Sequence, residues 1–449
     1  MKYGLKRSFG CSRSSLCCVL FLVLWILVSA CATGYTGRMR DVTSSLRRGR
    51  TQEALEEYRE TFTDSTGKDR LLYLMELGNL MRYAGRYDRA IDLLLQADRL
   101  SDSQRGTELD QEVLSFLSSD LSLEFRGADY EKVFINYCLA ASYASRGNKA
   151  DALAVRRRLN DKLKAMNTRY EEHKNRYSDD AFIRYLMGIL YEKAGDLNNA
   201  LIAYRNSAAV YDSVYSRDYG IDAPERVRAD ILRLASQLGM SSVFNDYSAR
   251  WPDVQWRQHS LQHDQGEIVV ILEYGTVPPR VEVSRTFYVD DRVYRMTLPA
   301  IPEKGWGRTH RLSVTSGGLS TEGFLAEDVT AIAEKNLEDQ AGRNVARAVA
   351  RLAVKAGMAQ AGEEIVEELT EEDSGISQAA GFLVSLLGAA TERADLRAWL
   401  TLPSRIYVAR LAVPSGSRTA TVTLDGRVIH RGTVEVPSGG ITLLFLRED

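Results

Sequence analysis

The chain has 449 residues, of which 45% are hydrophobic and 26% charged, with 33 glycines and only 9 prolines. These proportions are typical of a folded globular protein and exclude a collagen-like, disulfide-scaffold or broadly disordered chain. At about 100–200 residues per domain, the length predicts two or three domains. The formal net charge of -2 argues against a protein held on nucleic acid by a global basic field.

The first thirty residues have the pattern of an export signal. Residues 1–30 start with basic side chains and no acidic ones, then run apolar from 16 to 28. That run is too short for a membrane span of about 20 residues. It ends at Leu27–Cys31, which resembles the lipobox of bacterial lipoproteins.

The lipobox resemblance implies that Cys31 carries diacylglycerol and becomes the first residue of the mature chain. It predicts a lipid bilayer as partner, reached through acylated Cys31. Ala32 after the cysteine favours the outer membrane facing the periplasm. A plain signal peptide cut near Ala32 and an uncleaved anchor are the alternatives.

Cysteine positions fit this interpretation. Three cysteines lie in the signal and Cys31 at its end, which leaves Cys138 alone in the mature chain. No internal disulfide is then possible. Cys138 lies in an apolar stretch of helical pattern, which predicts a buried and unreactive thiol.

The front half contains a recurring pattern of Gly, four residues, Ala and an aliphatic residue. Its four instances begin at Gly49, Gly85, Gly147 and Gly195. The pattern resembles the turn and second helix of a tetratricopeptide repeat, and so predicts an all-α superhelix over residues 45–245, after a tether at 31–44. The instances are 36, 62 and 48 residues apart, which predicts longer connections or an extra helix pair near 105–130.

Three tyrosines occupy equivalent places in these repeats. Tyr143 and Tyr191 stand four residues before a repeat glycine, and Tyr204 four residues after a repeat alanine. The superhelix would offer a concave surface, on which tyrosines are candidate anchors for a protein partner. The alternative is that they pack between helices.

The back half changes to the period of β-strands. After a linker at 246–266, apolar runs and alternating segments predict the first half of a β domain over 267–324 and its second half over 400–449. Asp425-Gly426 predicts a hairpin. The fold class is therefore α+β: a tetratricopeptide-like superhelix, then a β-sandwich-like domain interrupted by an Ala-rich helical insertion at 325–399.

The insertion carries a basic ladder at every fourth residue. Its members are Arg343, Arg347, Arg351 and Lys355. The ladder is a candidate site for lipid headgroups, peptidoglycan carboxylates or an acidic partner, and a solvated helix face is the alternative.

No motif for catalysis or for phosphate or zinc binding stands out in the sequence. The nearest metal-like set, His259, His263 and Asp264, has no obvious fourth ligand. The sequence therefore predicts no metal, no cofactor and no enzyme activity.

The order of segments resembles a family of uncharacterised bacterial lipoproteins. The similarity rests on residues 274–279, residues 399–406, and residues 408–411 with Pro414 and Gly416. It implies architecture and location rather than activity. The predicted function is a non-enzymatic envelope scaffold with a protein partner, possible roles being cell-wall synthesis or outer-membrane assembly. The alternative is an envelope enzyme or ligand-binding protein with a site between the helical and β domains.

Overall fold

The structure is a computed structural model, which describes most of the chain. The described residues are 34–63, 66–104, 124–146, 158–159, 162, 177, 179–256, 264–289, 292–302, 309–340 and 394–449. The predictions for Cys31, for the basic ladder from Arg343 to Lys355 and for His259 and His263 lie outside them.

The front of the described chain is helical. Its helices are α1 Tyr35–Arg38, α2 Arg40–Arg47, α3 Thr51–Thr61, α4 Arg70–Tyr83, α5 Tyr87–Ser103, α6 Asp129–Arg146, α7 Ala181–Lys193, α8 Leu197–Val210, α9 Glu225–Gln237 and α10 Ser241–Arg250. A π-helical segment, Tyr211–Tyr219, extends α8. Among the described residues, no helix has both the length and the apolar character needed to cross a membrane.

These helices form pairs joined by tight turns, as in a tetratricopeptide array. The turns that end α2, α4, α7 and α9 place a glycine at positive φ, from 67° to 80°. These glycines are Gly49, Gly85, Gly195 and Gly239. A positive φ is readily adopted only by glycine, which explains the repeated residue. The prediction of tetratricopeptide-like helix pairs is confirmed.

The pair α9–α10 was not predicted by the repeat pattern. Gly239 is followed five residues later by Phe244 instead of alanine. No residue of α10 is fully buried, and Phe244 contacts the ring of Trp256 at a centroid distance of 5.1 Å. The small residue is therefore not needed where the last helix packs loosely.

The predicted tether at 31–44 is wrong for its described part. Residues from Tyr35 onward are helical, and Met39, Val42 and Leu46 are completely buried. Their spacing of three and four residues places them on one face of the helical segment. The Tyr35 hydroxyl also donates to Glu76 at 2.7 Å, so this segment is part of the array.

Within the described residues, the β domain contains ten strands. They are β1 Gln265–Tyr274, β2 Val281–Val289, β3 Arg292–Ala300, β4 Leu312–Ser316, β5 Leu319–Glu322, β6 Phe324–Asp328, β7 Arg405–Pro414, β8 Gly416–Leu424, β9 Arg427–Val436 and β10 Ile441–Glu448. One sheet has the order β10-β1-β7-β6 and another the order β5-β4-β8-β9, while β2 and β3 form a separate hairpin. Strands β1 and β10 are parallel, and β1 and β7 antiparallel.

The first sheet lies between the helices and the second sheet. On β1, Ile268 and Val270 face the core shared by the two sheets, whereas Val269 and Ile271 belong to the core shared with the helices. Burial on both faces explains why this strand is continuously apolar. The two blocks of predicted strands pair with each other, as expected.

Two details of the β domain differ from or extend the prediction. The insertion does not begin at Leu325, because Phe324–Asp328 is strand β6 and pairs with β7. The hairpin at Asp425-Gly426 is confirmed: both residues have positive φ, 51° and 82°, between β8 and β9. Such backbone angles are those of the tight turn that matches strand twist.

Candidate functional site

The inner face of the helical array is the candidate site, because first helices of repeats line the surface that such arrays use for binding. We define it by the four helices α4, α6, α7 and α9. In this chain the β domain covers that face. The predicted open concave surface is therefore wrong: the site is already occupied by residues of the same protein.

A segment that contains a turn, residues 397–404, lies along α4 and α6. Glu76 of α4 accepts hydrogen bonds from the backbone N–H of Leu400 at 2.7 Å and of Thr401 at 3.1 Å. Asn79, one turn later, donates to the Thr401 carbonyl at 2.8 Å. Side chains that bind a backbone in this way would suit a peptide ligand, and here they hold an internal segment.

Helix α6 holds the start of the same segment. Glu131 accepts from the Trp399 N–H at 2.8 Å, and the Trp399 indole is 1% exposed. Burial raises the pKa of Glu131, although Arg280 and the backbone donors oppose this. A free peptide could reach these groups only if Trp399 left the core.

A charged cluster joins α7 and α9 to the first sheet. Arg410 of β7 donates to Asp230 at 2.9 Å, to Glu192 at 3.0 Å and to Glu267 of β1. Arg226 and Arg233 complete the cluster, with Arg226 at 2.6 Å from Glu267 and Arg233 at 2.7 Å from Glu192. Three arginines therefore face three carboxylates.

The arginines of the cluster favour the ionised forms of Asp230 and Glu267. Burial opposes ionisation of Asp230, but Arg226 and Arg410 outweigh it and hold the pKa of Asp230 well below its usual range. The same balance lowers the pKa of Glu267 to about 2. Such a buried ion cluster joins the elements that carry it, because each charge depends on its partners to stay buried, although the Nε atom of Arg410 has no hydrogen-bond partner among the described residues.

A second contact lies between α4, α6 and the end of β1. Glu273 accepts from Arg82 at 2.8 Å and from the Tyr137 hydroxyl at 2.6 Å. Burial opposes ionisation of Glu273, but Arg82 lowers its pKa overall. Cys138, next to Tyr137, is buried as predicted, and burial raises its thiol pKa to about 12, which makes it unreactive.

A third contact joins α7 and the π-helical segment to β6. The carboxyl groups of Asp180 and Glu327 are hydrogen-bonded to each other, and burial raises the pKa of both, that of Asp180 to about 6. Tyr177 donates to Asp180 at 2.7 Å and Tyr215 donates to Glu327 at 2.9 Å. Because like charges at this distance repel, each of these two carboxyls disfavours ionisation of the other.

The three tyrosines predicted as partner anchors have different environments. Tyr204 is fully buried, where its hydroxyl donates to Glu192 at 2.7 Å and accepts from Arg410 at 2.8 Å. It is therefore not a surface anchor, because the inner face that it serves is closed. Tyr143 is partly buried and packs against the helical core.

Tyr191 is, like Tyr143, partly buried against the helical core, and it lies on the pair α7–α8. It lines a cavity of about 120 Å³ together with Ile202, whose side chain is 53% exposed. Arg184, Asn199 and Asn206 also border this cavity. An exposed isoleucine beside a tyrosine and two amides offers apolar and hydrogen-bonding contact to a protein partner.

Sequence reasoning did not predict the charged residues that close the inner face. Arg410 lies within and Glu273 near the end of a strand whose central residues are mostly apolar. A charge at such a position is unusual and implies a buried partner. That signal was available, but it does not say which of many acidic or basic residues is the partner.

Comparisons with known proteins give distant similarity to helical repeat proteins. No family model and no curated protein matches the chain. A Podosopora anserina putative kinesin light chain with nearly identical TPR-like repeats is 13% identical over 49% of this chain and 93% of that chain, with a TM-score of 0.33. The protein MamA MSR-1 C2 is 14% identical over 48% of this chain and 97% of that chain, with a TM-score of 0.27.

A Rap protein complexed with competence and sporulation factor is also similar. It is 12% identical over 52% of this chain and 60% of that chain, with a TM-score of 0.29. All of these scores are low. The assignment of the repeats therefore rests on the helix pairs and turn glycines of the chain itself.

Proposed function

We propose that the chain is a lipid-anchored protein of the bacterial cell envelope and acts there as a non-enzymatic interaction scaffold. The anchor is Cys31, and the location is the periplasmic face of the outer membrane. The partner is a protein of the envelope. Cell-wall synthesis and outer-membrane assembly are the processes in which such a scaffold would serve.

One observation carries the scaffold proposal: the helical array is closed on its inner face by its own β domain. Arg410, Glu273 and Thr401 connect helices and sheet through buried hydrogen bonds. These contacts hold the helices in one arrangement and close the inner face, so a partner docks on the outer surface of the array. Tyr191 and Ile202 on α7–α8 are the contact that we assign to the partner.

The docking surface is tested by photo-crosslinking in cells. A photoreactive phenylalanine analogue replaces Ile202, and in a control chain it replaces Thr433, which is exposed on β9. We expect a discrete adduct of one size at position 202 and none at 433. Adducts at both positions, or at neither, would contradict a partner on α7–α8.

The anchor is tested separately by labelling with palmitate. Wild-type chain should take up label and remain in the membrane fraction, whereas Cys31→Ala should lose both properties. A Cys31→Ala chain that stays in the membrane fraction would remove the lipid anchor from the proposal. The result of the crosslinking experiment would still apply to the scaffold.

A further inference from the structure

A cleft lined by arginines lies where the helical array meets the end of the β domain. Its volume is about 320 Å³. The helical side supplies Arg47, Arg48, Gly49 and Thr51, and the β side supplies Arg427, Arg447, Glu448 and Asp449. Four arginines against two carboxylates leave two positive side-chain charges in the cleft.

The two arginines of the β side are held in place. Arg447 lies over the ring of Tyr83 at 4.3 Å and donates to Asp449 at 2.6 Å, and its side chain is 11% exposed. Arg427 pairs with Glu448. The contacts of Arg447 pre-orient its guanidinium group, which lowers the entropy cost of binding an anion, whereas the side chain of Arg427 is 64% exposed.

The two arginines of the helical side donate hydrogen bonds to hydroxyl groups rather than to carboxylates in the described part of the chain. Arg47 donates to the hydroxyl of Thr276 at 3.2 Å, and Arg48 to those of Ser44 at 2.7 Å and Ser45 at 3.1 Å. Within the described part of the chain, neither arginine forms an ion pair. Arg47 still acts electrostatically on the carboxyl of Asp449, where it opposes the burial that raises the pKa of this group.

The start of α3 adds a further attraction for anions. Gly49 and Thr51 border the cleft, and no side chain caps this helix end. The first N–H groups of a helix have no acceptor within the helix, and the helix dipole favours negative charge there. Guanidinium groups and a helix start thus converge on one opening.

We propose that this cleft binds a phosphate group, as a free phosphate or as the phosphate of an anionic lipid headgroup. Arginine forks match the oxygens of phosphate, and the excess of arginines over side-chain carboxylates in the cleft favours binding of an anion. The volume is sufficient for a phosphate with a short polar substituent.

The lipid source rests on the anchor in the proposed function. Three residues lie between Cys31 and Tyr35, and α1 and α2 then lead to Arg47. Extended and helical rises place Arg47 within about 30 Å of an acylated Cys31. A cleft at this distance could reach headgroups of the same membrane, where basic residues gain about 1 kcal/mol each near an anionic surface.

The test is isothermal titration of the full chain, purified in a non-ionic detergent. The probes are inorganic phosphate, a short-chain phosphatidylglycerol and succinate. We expect one saturable site for phosphate in wild type and binding at least ten-fold weaker in Arg47→Gln/Arg48→Gln. The matched control, Arg40→Gln/Arg431→Gln, removes two exposed arginines outside the cleft and should stay within two-fold of wild type.

Each outcome decides one point. No saturable phosphate binding by folded wild type, or equal loss in both double variants, overturns the site, and succinate binding as tight as phosphate overturns the choice of phosphate. Tighter binding of the phosphatidylglycerol assigns the lipid headgroup, and tighter binding of inorganic phosphate assigns the free ion. Phosphate binding does not require acylation, so its presence alongside failed palmitate labelling would reject only the anchor.

Discussion

Arg410 is the residue on which the contact between α7, α9 and the first sheet most depends, because it donates to three carboxylates and is completely buried. Arg410→Met would leave Asp230, Glu192 and Glu267 with two arginines. Removing one partner of a buried ion cluster costs about 3–5 kcal/mol of unfolding free energy. Urea unfolding should show this loss, whereas Arg431→Met at an exposed position should change stability by less than about 0.5 kcal/mol.

An Arg410→Met protein as stable as wild type would mean that the charges of the cluster do not depend on their mutual pairing. The carboxylates of the cluster would then be stable in the core without Arg410. The surface control separates this outcome from a general tolerance of arginine replacement.

The unfolding free energy depends on pH through Glu76, and the contribution of this one group can be measured separately. Burial raises its pKa to about 7, against the opposing effect of the donors Thr401, Tyr35 and Leu400. Between about pH 4.5 and 7 the folded chain therefore holds a proton that the unfolded chain has lost. The stability from this group is complete below pH 4.5 and falls as pH rises to 7, by at most about 1.4 kcal/mol per pH unit.

The measurement is the unfolding free energy of wild type minus that of Glu76→Gln, from pH 4 to pH 8. We expect the difference to fall between pH 4.5 and 7 and to level above pH 7. Asp180 and Glu327 titrate in both proteins and cancel. A difference that does not change with pH would show that folding leaves the pKa of Glu76 at its ordinary value.

At the scale of elements, two helix glycines show how closely the pairs pack. A Cβ at Gly188 of α7 would overlap the ring of Tyr204 on α8, which Glu192 and Arg410 hold in place. A Cβ at Gly78 of α4 would lie 2.8 Å from a side-chain atom of Leu94, which can move.

Gly188→Ala should therefore lower stability by about 2–3 kcal/mol, an overpacking cost that exceeds the helix preference of alanine. Gly78→Ala should cost less than about 1 kcal/mol, because the same preference offsets a small shift of Leu94. Thermal unfolding of the two variants gives the comparison. Equal melting temperatures would indicate that Tyr204 is free to rotate away.

The elements were predictable from the sequence where their signals are local. The turn glycines predicted the helix pairs, and Asp425-Gly426 predicted a hairpin, because both kinds of turn depend on backbone angles that few residues adopt. The pair after Glu225 and the helices before Arg48 were missed, since they lack the repeat alanine or precede the first repeat glycine.

The occupant of the inner face was not predictable in the same way. Glu192 and Arg410 are 218 residues apart in sequence. Hydrophobic period and propensity describe neighbours along the chain, and they carry no information about which distant charge completes a buried pair. The arginine cleft could not be predicted for the same reason, because Arg47 and Arg447 border one cleft only after the β domain has docked on the helices.

At the scale of the whole molecule, the core shared by helices and first sheet predicts that the two parts unfold together. Val422 lies in the other core, between the two sheets, and does not belong to the helical core. Val422→Ala should lower the unfolding free energy by about 1–2 kcal/mol. The urea midpoint measured by the helical circular dichroism signal should fall by the same amount as the midpoint measured for the whole protein. The effect reaches the helices because the first sheet carries Arg410 and Glu273, and the segment next to it carries Thr401. The sheet cannot detach from the helices without exposing buried charges.

The control for this cooperative unfolding is Ile202→Ala, which removes an exposed side chain from α8 and should leave the midpoint nearly unchanged. A helical signal with an unshifted midpoint in Val422→Ala would mean that the array keeps its fold after the β domain unfolds. The inner face would then be able to open, and Glu76, Asn79 and Glu131 would become available to a peptide from another protein. A shifted midpoint keeps that face closed and leaves the outer surface and the arginine cleft as the places where partners bind.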